Sequence, residues 1–321
     1  MLPDQVDMLN LKVRKARIVG QDVMELVLVN SSGADLPVWE PGAHIHVHLP
    51  SGVIRQYSLC GSPADRKTYR IAVLRQPDGR GGSVEVHTAL TEGVIFRASY
   101  PQNHFPLAAA PAYLFIAGGI GITPILPMIV KADREGAAWK LLYGGRTLAS
   151  MSYRDELADW PDAVSIRPED EYGLLDLAGA LAERPAGSLV YCCGPEPLIQ
   201  AVQRQCEARS EPEVFHFERF GAGQPAAGAG DDNEAFEVEL VRSGVTLHVP
   251  ADRTLLEVVR EVVPDMPSSC EAGYCGTCEL RVVHGVPLHR DTIMTDEEKA
   301  AGQSMMICVG RSLTPRLGLD I

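Results

Sequence analysis

The chain has 321 residues, 45% hydrophobic and 22% charged, with 42 acidic against 29 basic side chains and a formal charge of −13. At about 150 residues per domain this is room for two or three domains. The acidity excludes a phosphate-backbone binder without a local basic patch, and the sequence has none. Eight cysteines are too sparse for a secreted disulfide scaffold. The first twenty residues carry Asp4, Asp7, Lys12, Arg14, Lys15 and Arg17 and no apolar core, so no signal peptide is read. Residues 98–130 carry no charge and are long enough to span a bilayer. Pro101, Pro106, Pro111, Pro124 and Pro127, with Gly118, Gly119 and Gly121, break any continuous helix there. The expectation is a cytoplasmic enzyme with no membrane span and no nucleic-acid partner.

Residues 1–106 read as a β-rich domain. Strands are expected at 23–29, 44–49, 53–59 and 69–74, separated by Gly and Pro turns, a spacing that suggests a small barrel. His44, His46 and His48 fall on one strand face. A metal site is conceivable there, but one strand supplies only part of a coordination shell, so a polar strand face is the plainer reading. Arg55-Gln56-Tyr57-Ser58 lies on a strand, and Arg80-Gly81-Gly82-Ser83 precedes a helix start. An arginine, a hydroxyl and uncapped N–H groups are what a terminal phosphate requires, and a tyrosine offers a flat partner for a ring.

From 107 to 220, strands expected at 113–117, 139–143, 164–167 and 189–193 alternate with helical segments, one of them at 197–207. That is the pattern of a parallel sheet with ligands at the strand carboxyl ends. Gly118-Gly119-Ile120-Gly121-Ile122-Thr123-Pro124 follows a strand and opens a helix, where a helix N-terminus favours phosphate. It departs from the dinucleotide fingerprint because Pro124 holds the third glycine position. Tyr143-Gly144-Gly145-Arg146 and Cys193-Gly194-Pro195 are further strand-end turns that would line the same sheet edge.

Residues 221–233 are a Gly/Ala-rich linker by composition. Residues 234–321 open with strands at 236–241 and 245–249. Thr254 and Glu257 then form a capping box that predicts a helix through Val263. Cys270, Cys275 and Cys278 give C-x4-C-x2-C, and Cys308 follows after 29 residues. This is plant-type [2Fe–2S] spacing, with Gly273 and Gly276 allowing the loop to turn and aim N–H groups at sulfur. Zinc is the competing metal, although it more often uses two short Cys pairs. A redox disulfide at Cys275–Cys278 would leave Cys270 and Cys308 without a role. The other thiols, Cys60, Cys192, Cys193 and Cys206, read as buried structural residues. By segment the charge is +1 over 1–106, −6 over 107–220, −2 in the linker and −6 over 234–321.

Together, Arg55 to Ser58, Gly118 to Pro124, Cys193-Gly194-Pro195, His216-Phe217-Glu218-Arg219-Phe220 and the four cysteines make the chain resemble the phthalate dioxygenase reductase family. These are the reductase components of Rieske-type oxygenases, vanillate O-demethylase reductases among them. The resemblance covers nearly the whole chain, in the order flavin, nicotinamide, ferredoxin. It implies a multidomain α/β and β protein: a flavin-binding β-barrel (1–106), a parallel α/β NAD domain (107–220) and a C-terminal β-grasp plant-type ferredoxin domain (234–321). It implies FMN held by Arg55, Tyr57 and Ser58, with Ala72-Val73-Leu74 beside the ring and Gly82 and Ser83 at the phosphate. Gly119, Gly121, Pro124, Arg146, Cys193 and Gly194 would line the site for NADH. Thr123 would approach flavin or nicotinamide, and Phe220 would stack on the flavin, core packing being its plainer role. It also implies electron flow from NADH to FMN to [2Fe–2S] to a terminal Rieske-type oxygenase component, with the reductase a monomer. A non-catalytic electron-transfer or redox-sensing module with a different acceptor, and a flavohaemoglobin-like reductase, are the rivals; the nucleotide motifs oppose the first and the cysteine cluster the second.

Overall fold

The computed structural model describes residues 8–79, 81–220, 233–264, 266–268 and 270–321. Arg80 and all but the last residue of the 221–233 linker lie outside the described residues. The chain divides into two compact units: residues 8–50 with 56–220, and residues 233–321 with 51–55.

The first module contains β1 (Met8–Gly20), β2 (Val23–Asn30), β3 (Ala43–His48), β4 (Ile54–Ser58), β5 (Tyr69–Leu74), α1 (Gly82–Ala89), β6 (Ile95–Ser99) and β7 (Gln102–Asn103). The sheet order is β4-β3-β6-β1-β2-β5, with β7 also on β3. Just beyond β4, the Leu59 N–H donates to Ala43 O (2.8 Å) and the Cys60 N–H to Arg70 O (2.9 Å). The chain there links β3 to β5 and closes the sheet towards a barrel, as the turn spacing predicts. β1 was not among the expected strands. Its charged residues mask an alternation in which Leu9, Leu11 and Val13 are buried.

The second module contains β8 (Ala112–Gly118), α2 (Ile122–Arg134), β9 (Ala138–Gly145), α3 (Arg154–Leu157), β10 (Val164–Pro168), α4 (Glu169–Tyr172), α5 (Leu177–Ala182), β11 (Ser188–Gly194), α6 (Glu196–Ala208) and β12 (Phe215–Arg219). All adjacent strands are parallel, in the order β10-β9-β8-β11-β12. β8 is buried along its whole length, as a central parallel strand must be. The strand order reverses between β8 and β11, so the crevice for a ligand opens at their carboxyl ends.

The two modules share one apolar core. Val23, Cys60, Ala72 and Phe105 of the barrel join Ala117, Ile122, Tyr143, Met151 and Tyr153 of the sheet module in a single buried cluster. They are thus two folds within one compact unit.

The second unit contains β13 (Phe236–Leu240), β14 (Val245–Val249), α7 (Leu255–Val259), β15 (Glu279–His284), β16 (Pro287–Leu288), α8 (Asp296–Ala301), β17 (Ser304–Met306), β18 (Arg311–Ser312) and β19 (Arg316–Leu319). Its main sheet runs β14-β13-β19-β15-β17, with β13 and β19 parallel, and α7 packs on β14 within this unit's own apolar core. The capping box at Thr254 and Glu257 forms, but α7 ends at Val259 rather than Val263. The chain continues as single turns on the Val259 carbonyl, and Pro264 then prevents further helix.

At Gly121 a Cβ would be driven into the Cys193 carbonyl, because the β8 and β11 ends touch backbone to backbone. Gly118 is similarly confined: a Cβ there would lie 2.7 Å from Pro195 Cδ. Gly121→Ala should therefore destabilise the chain by about 1–3 kcal/mol. Thermal melting should show the loss, and a variant melting like the wild type would contradict this packing.

Candidate functional site

The β8, β9 and β11 registers bring three glycine turns to one edge. Gly118 pairs with Gly144, Cys193 with Ala117, and Gly194 with Arg219. Gly119 has φ of 55° and open space around it, so its peptide can face a ligand closely. Tyr143 Oη is within 3.2 Å of both Gly119 O and Ser152 O, which fixes the glycine turn to the next loop. Pro124 sits in the first turn of α2. Thr123 is buried, and its hydroxyl donates to Ile120 O at 3.0 Å, so it closes that turn. Arg146 is exposed at the end of β9, and its carbonyl accepts from Asp170 N.

On the barrel, Ser83 Oγ accepts from Gln76 N at 3.0 Å, and His87 Nε2 lies 2.8 Å from Val73 O. These contacts tie the segment just after β5 to the first turn of α1 and Val73 to its last turn. That helix has Gly81 at its N-cap, with φ of 78° and no side-chain cap, and Gly82 buried behind it. Its first N–H groups suit an anion such as the terminal phosphate of FMN. Tyr57 is half-buried on β4, and Arg55 donates to Ile54 O on the same strand at 2.8 Å.

One residue joins the two halves, and sequence reasoning quoted it without giving it a role. Glu218 on β12 lies opposite Cys193 in the parallel register. It accepts from Ser58 Oγ at 3.2 Å across the module boundary. It is 9% exposed. Burial raises its carboxyl from about 4.5 to about 8, opposed only by the Ser58 hydrogen bond. Burial, followed by the Glu218 charge, also holds the Cys193 thiol well above its usual range. Leu74, Ile120 and Phe220 pack, partly exposed, against the same core. The structure thus gathers the β4 end, the β8 and β11 turns and the last residues of the sheet module.

The expected polar face of β3 is not solvated: His44 is fully buried and His46 nearly so. The His44 ring lies 5.3 Å from His46 and 5.2 Å from His104. Burial and these neighbours keep His44 well below its usual pKa.

All four cysteines of the C-terminal motif are buried and unbridged. Cys270 is hydrogen-bonded to Cys275 and Cys308, and Cys278 to Cys308. The mutual bonds pull Cys270 and Cys278 down and push Cys275 and Cys308 up. The Cys270 N–H points to Cys275 Sγ (3.4 Å), the Ala272 N–H to Cys270 Sγ (3.3 Å), and Thr277 Oγ1 lies 3.2 Å from Cys275 Sγ. Gly273 and Gly276 have φ of 77° and 74°, as the turning loop requires. A Cβ on Gly273 would meet Val309 and Asp291. A binuclear cluster needs two thiolates per iron, and paired thiols with inward N–H groups fit it.

The chain matches an oxidoreductase NAD-binding domain over residues 115–204 and a 2Fe-2S iron-sulfur cluster binding domain over 238–312. It is 39% identical over 314 residues to the phenoxybenzoate dioxygenase subunit beta of Ectopseudomonas oleovorans, covering 97% of both chains. It is 36% identical over 325 residues to the phthalate dioxygenase reductase of Burkholderia cepacia, covering 99% of both. A solved phthalate dioxygenase reductase structure, described as modular for electron transfer from pyridine nucleotides to [2Fe-2S], superposes with a TM-score of 0.74. That match has 35% identity and covers 100% of both chains. Fold and site define an NAD-dependent oxidoreductase with a [2Fe–2S] domain. The chain belongs to the phthalate dioxygenase reductase family.

Because the Glu218 carboxyl is raised in the folded chain, its contribution to stability is fully present below about pH 4.5 and declines as pH rises towards about 8. Glu218→Gln should flatten that part of the stability–pH profile, as measured by denaturant unfolding at several pH values. An unchanged slope would contradict a carboxyl titrating there.

Proposed function

We propose that the chain is the reductase component of a multicomponent oxygenase, taking electrons from NADH and delivering them to a terminal Rieske-type oxygenase. The observation that carries this reading is the Ser58–Glu218 hydrogen bond. It joins the barrel strand whose Tyr57 and Ser58 face the flavin to the strand end where nicotinamide would lie. When bound, FMN accepts a hydride's two electrons together and the [2Fe–2S] cluster carries them onward one at a time.

The protein's part is mainly positional, since hydride transfer needs reacting atoms roughly 3–3.5 Å apart. Tyr57 and Ser58 hold the ring from one strand, and Ala72 to Leu74 line it from β5. Gly82 and Ser83, with the uncapped α1 N-terminus, neutralise the phosphate. Gly119, Gly121, Pro124, Arg146, Cys193 and Gly194 form the dinucleotide edge. Phe220, the last residue of the unit, covers the place where nicotinamide enters. Glu218 is held protonated at neutral pH by burial, so it can donate a hydrogen bond rather than impose a charge. Cys270, Cys275, Cys278 and Cys308 ligate the cluster. The oxygenase reads the acidic C-terminal segment, charge −6, through a basic surface of its own. No helix among the described residues is long and apolar enough to cross a membrane.

Cys308→Ser should abolish the cluster absorbance and electron paramagnetic resonance signal while NADH still bleaches the flavin. A variant with an intact cluster signal would refute the ligand set. Electron delivery to the oxygenase should slow with rising salt, and turnover independent of ionic strength would refute the steering.

A further inference from the structure

A second contact between the modules lies around Arg70 on β5. Its guanidinium makes a bidentate pair with Glu156 of α3, at 2.6 and 2.9 Å. It also donates to Cys60 O at 2.6 Å and lies 5.0 Å over the Tyr153 ring. Arg70 Nε is 3.6 Å from Glu25, whose side chain is wholly buried on β2 and also takes a 2.6 Å bond from Arg17. One cation therefore holds three barrel groups (β5, the residue after Leu59, and Glu25) and two groups on the other module. Nearby, the Gln21 N–H donates to Ala149 O across the same boundary at 2.7 Å.

The shared apolar core is enough to keep the modules together, but apolar contact is non-directional. A planar fork paired with a carboxylate and stacked on a ring is directional. Arg70 stands two residues before Ala72, and Cys60 two after Ser58. Its anchors are thus continuous with the two strand segments that face the ring.

We propose that Arg70 is a positioning residue for hydride transfer, clamping α3 and Tyr153 to β5 so that the nicotinamide edge meets the flavin in register. The clamp rests on the hydride route proposed above. Arg70 touches neither reactant; it acts through β5 and the 148–157 segment. A lysine keeps the charge but cannot pair in bidentate fashion while stacking on Tyr153.

The test compares flavin-loaded wild type with Glu156→Gln and Arg70→Lys. Glu156 is 41% exposed and its removal leaves Glu25 neutralised, so that variant folds even if the arginine variant does not. Anaerobic stopped-flow mixing with NADH should show flavin bleaching about 10-fold slower in Glu156→Gln and about 10- to 100-fold slower in Arg70→Lys. Half-saturating NADH should stay unchanged. The long-wavelength charge-transfer absorbance of NAD on reduced flavin should weaken. In the flavin-free protein, amide exchange over 148–157 should quicken while the melting temperature of Glu156→Gln holds. The double variant should be no slower than Arg70→Lys alone. Bleaching and charge-transfer absorbance equal to wild type would overturn the clamp and leave the hydride route standing. So would a rate loss matched by flavin loss. A wild type that NADH cannot bleach would overturn both.

Discussion

Everything this protein does depends on two different folds being held edge to edge without freedom to slide. Hydride transfer falls steeply with misplacement, so a flavin site on a barrel and a nicotinamide site on a parallel sheet are useful only if their separation is fixed. The chain fixes it with a common apolar core and, at its margins, with polar contacts from one fold to the other, the buried Ser58–Glu218 bond and the partly exposed Arg70–Glu156 pair. The core supplies cohesion. The polar contacts supply direction, because a hydrogen bond to a buried carboxyl tolerates little error in distance or angle.

The same logic explains the glycines of the sheet module. Gly118, Gly121 and Gly194 are crowded by backbone or by packed side chains where β8 meets β11, so their small size serves strand-end packing. Within the 118–121 turn, Gly119 is the one whose left-handed backbone faces open space. A glycine-rich turn that looks uniform in sequence thus divides into packing positions and a ligand-facing position.

What was legible in the sequence was whatever chemistry imposes at short range. Four thiolates must reach two irons from one tight loop and one anchor, so Cys270, Cys275, Cys278 and Cys308 declare themselves by spacing. β8 and β11 were legible because burial on both faces makes them nearly continuous apolar runs, whereas the half-buried edge strand β12 was not among the expected strands. Glu218 was not, because its meaning lies in Ser58, 160 residues away. Glu25 and Arg70 were hidden for the same reason: an ion pair between β2 and β5, far apart in the chain, leaves no local pattern. His44 and His46 misled because alternation gives the face of a strand but not what covers that face. Val263 misled because a capping box marks where a helix starts and says little about where it ends.

The central claim is that electrons from a pyridine nucleotide fill a flavin and then a cluster within one chain. Anaerobic titration with NADH, followed by flavin absorbance and the cluster's electron paramagnetic resonance signal, tests it most directly. FMN holds two electrons and a [2Fe–2S] cluster one, so full reduction should consume about 1.5 equivalents of NADH per chain. Both signals should change. An endpoint near one equivalent with the cluster still oxidised would contradict the account.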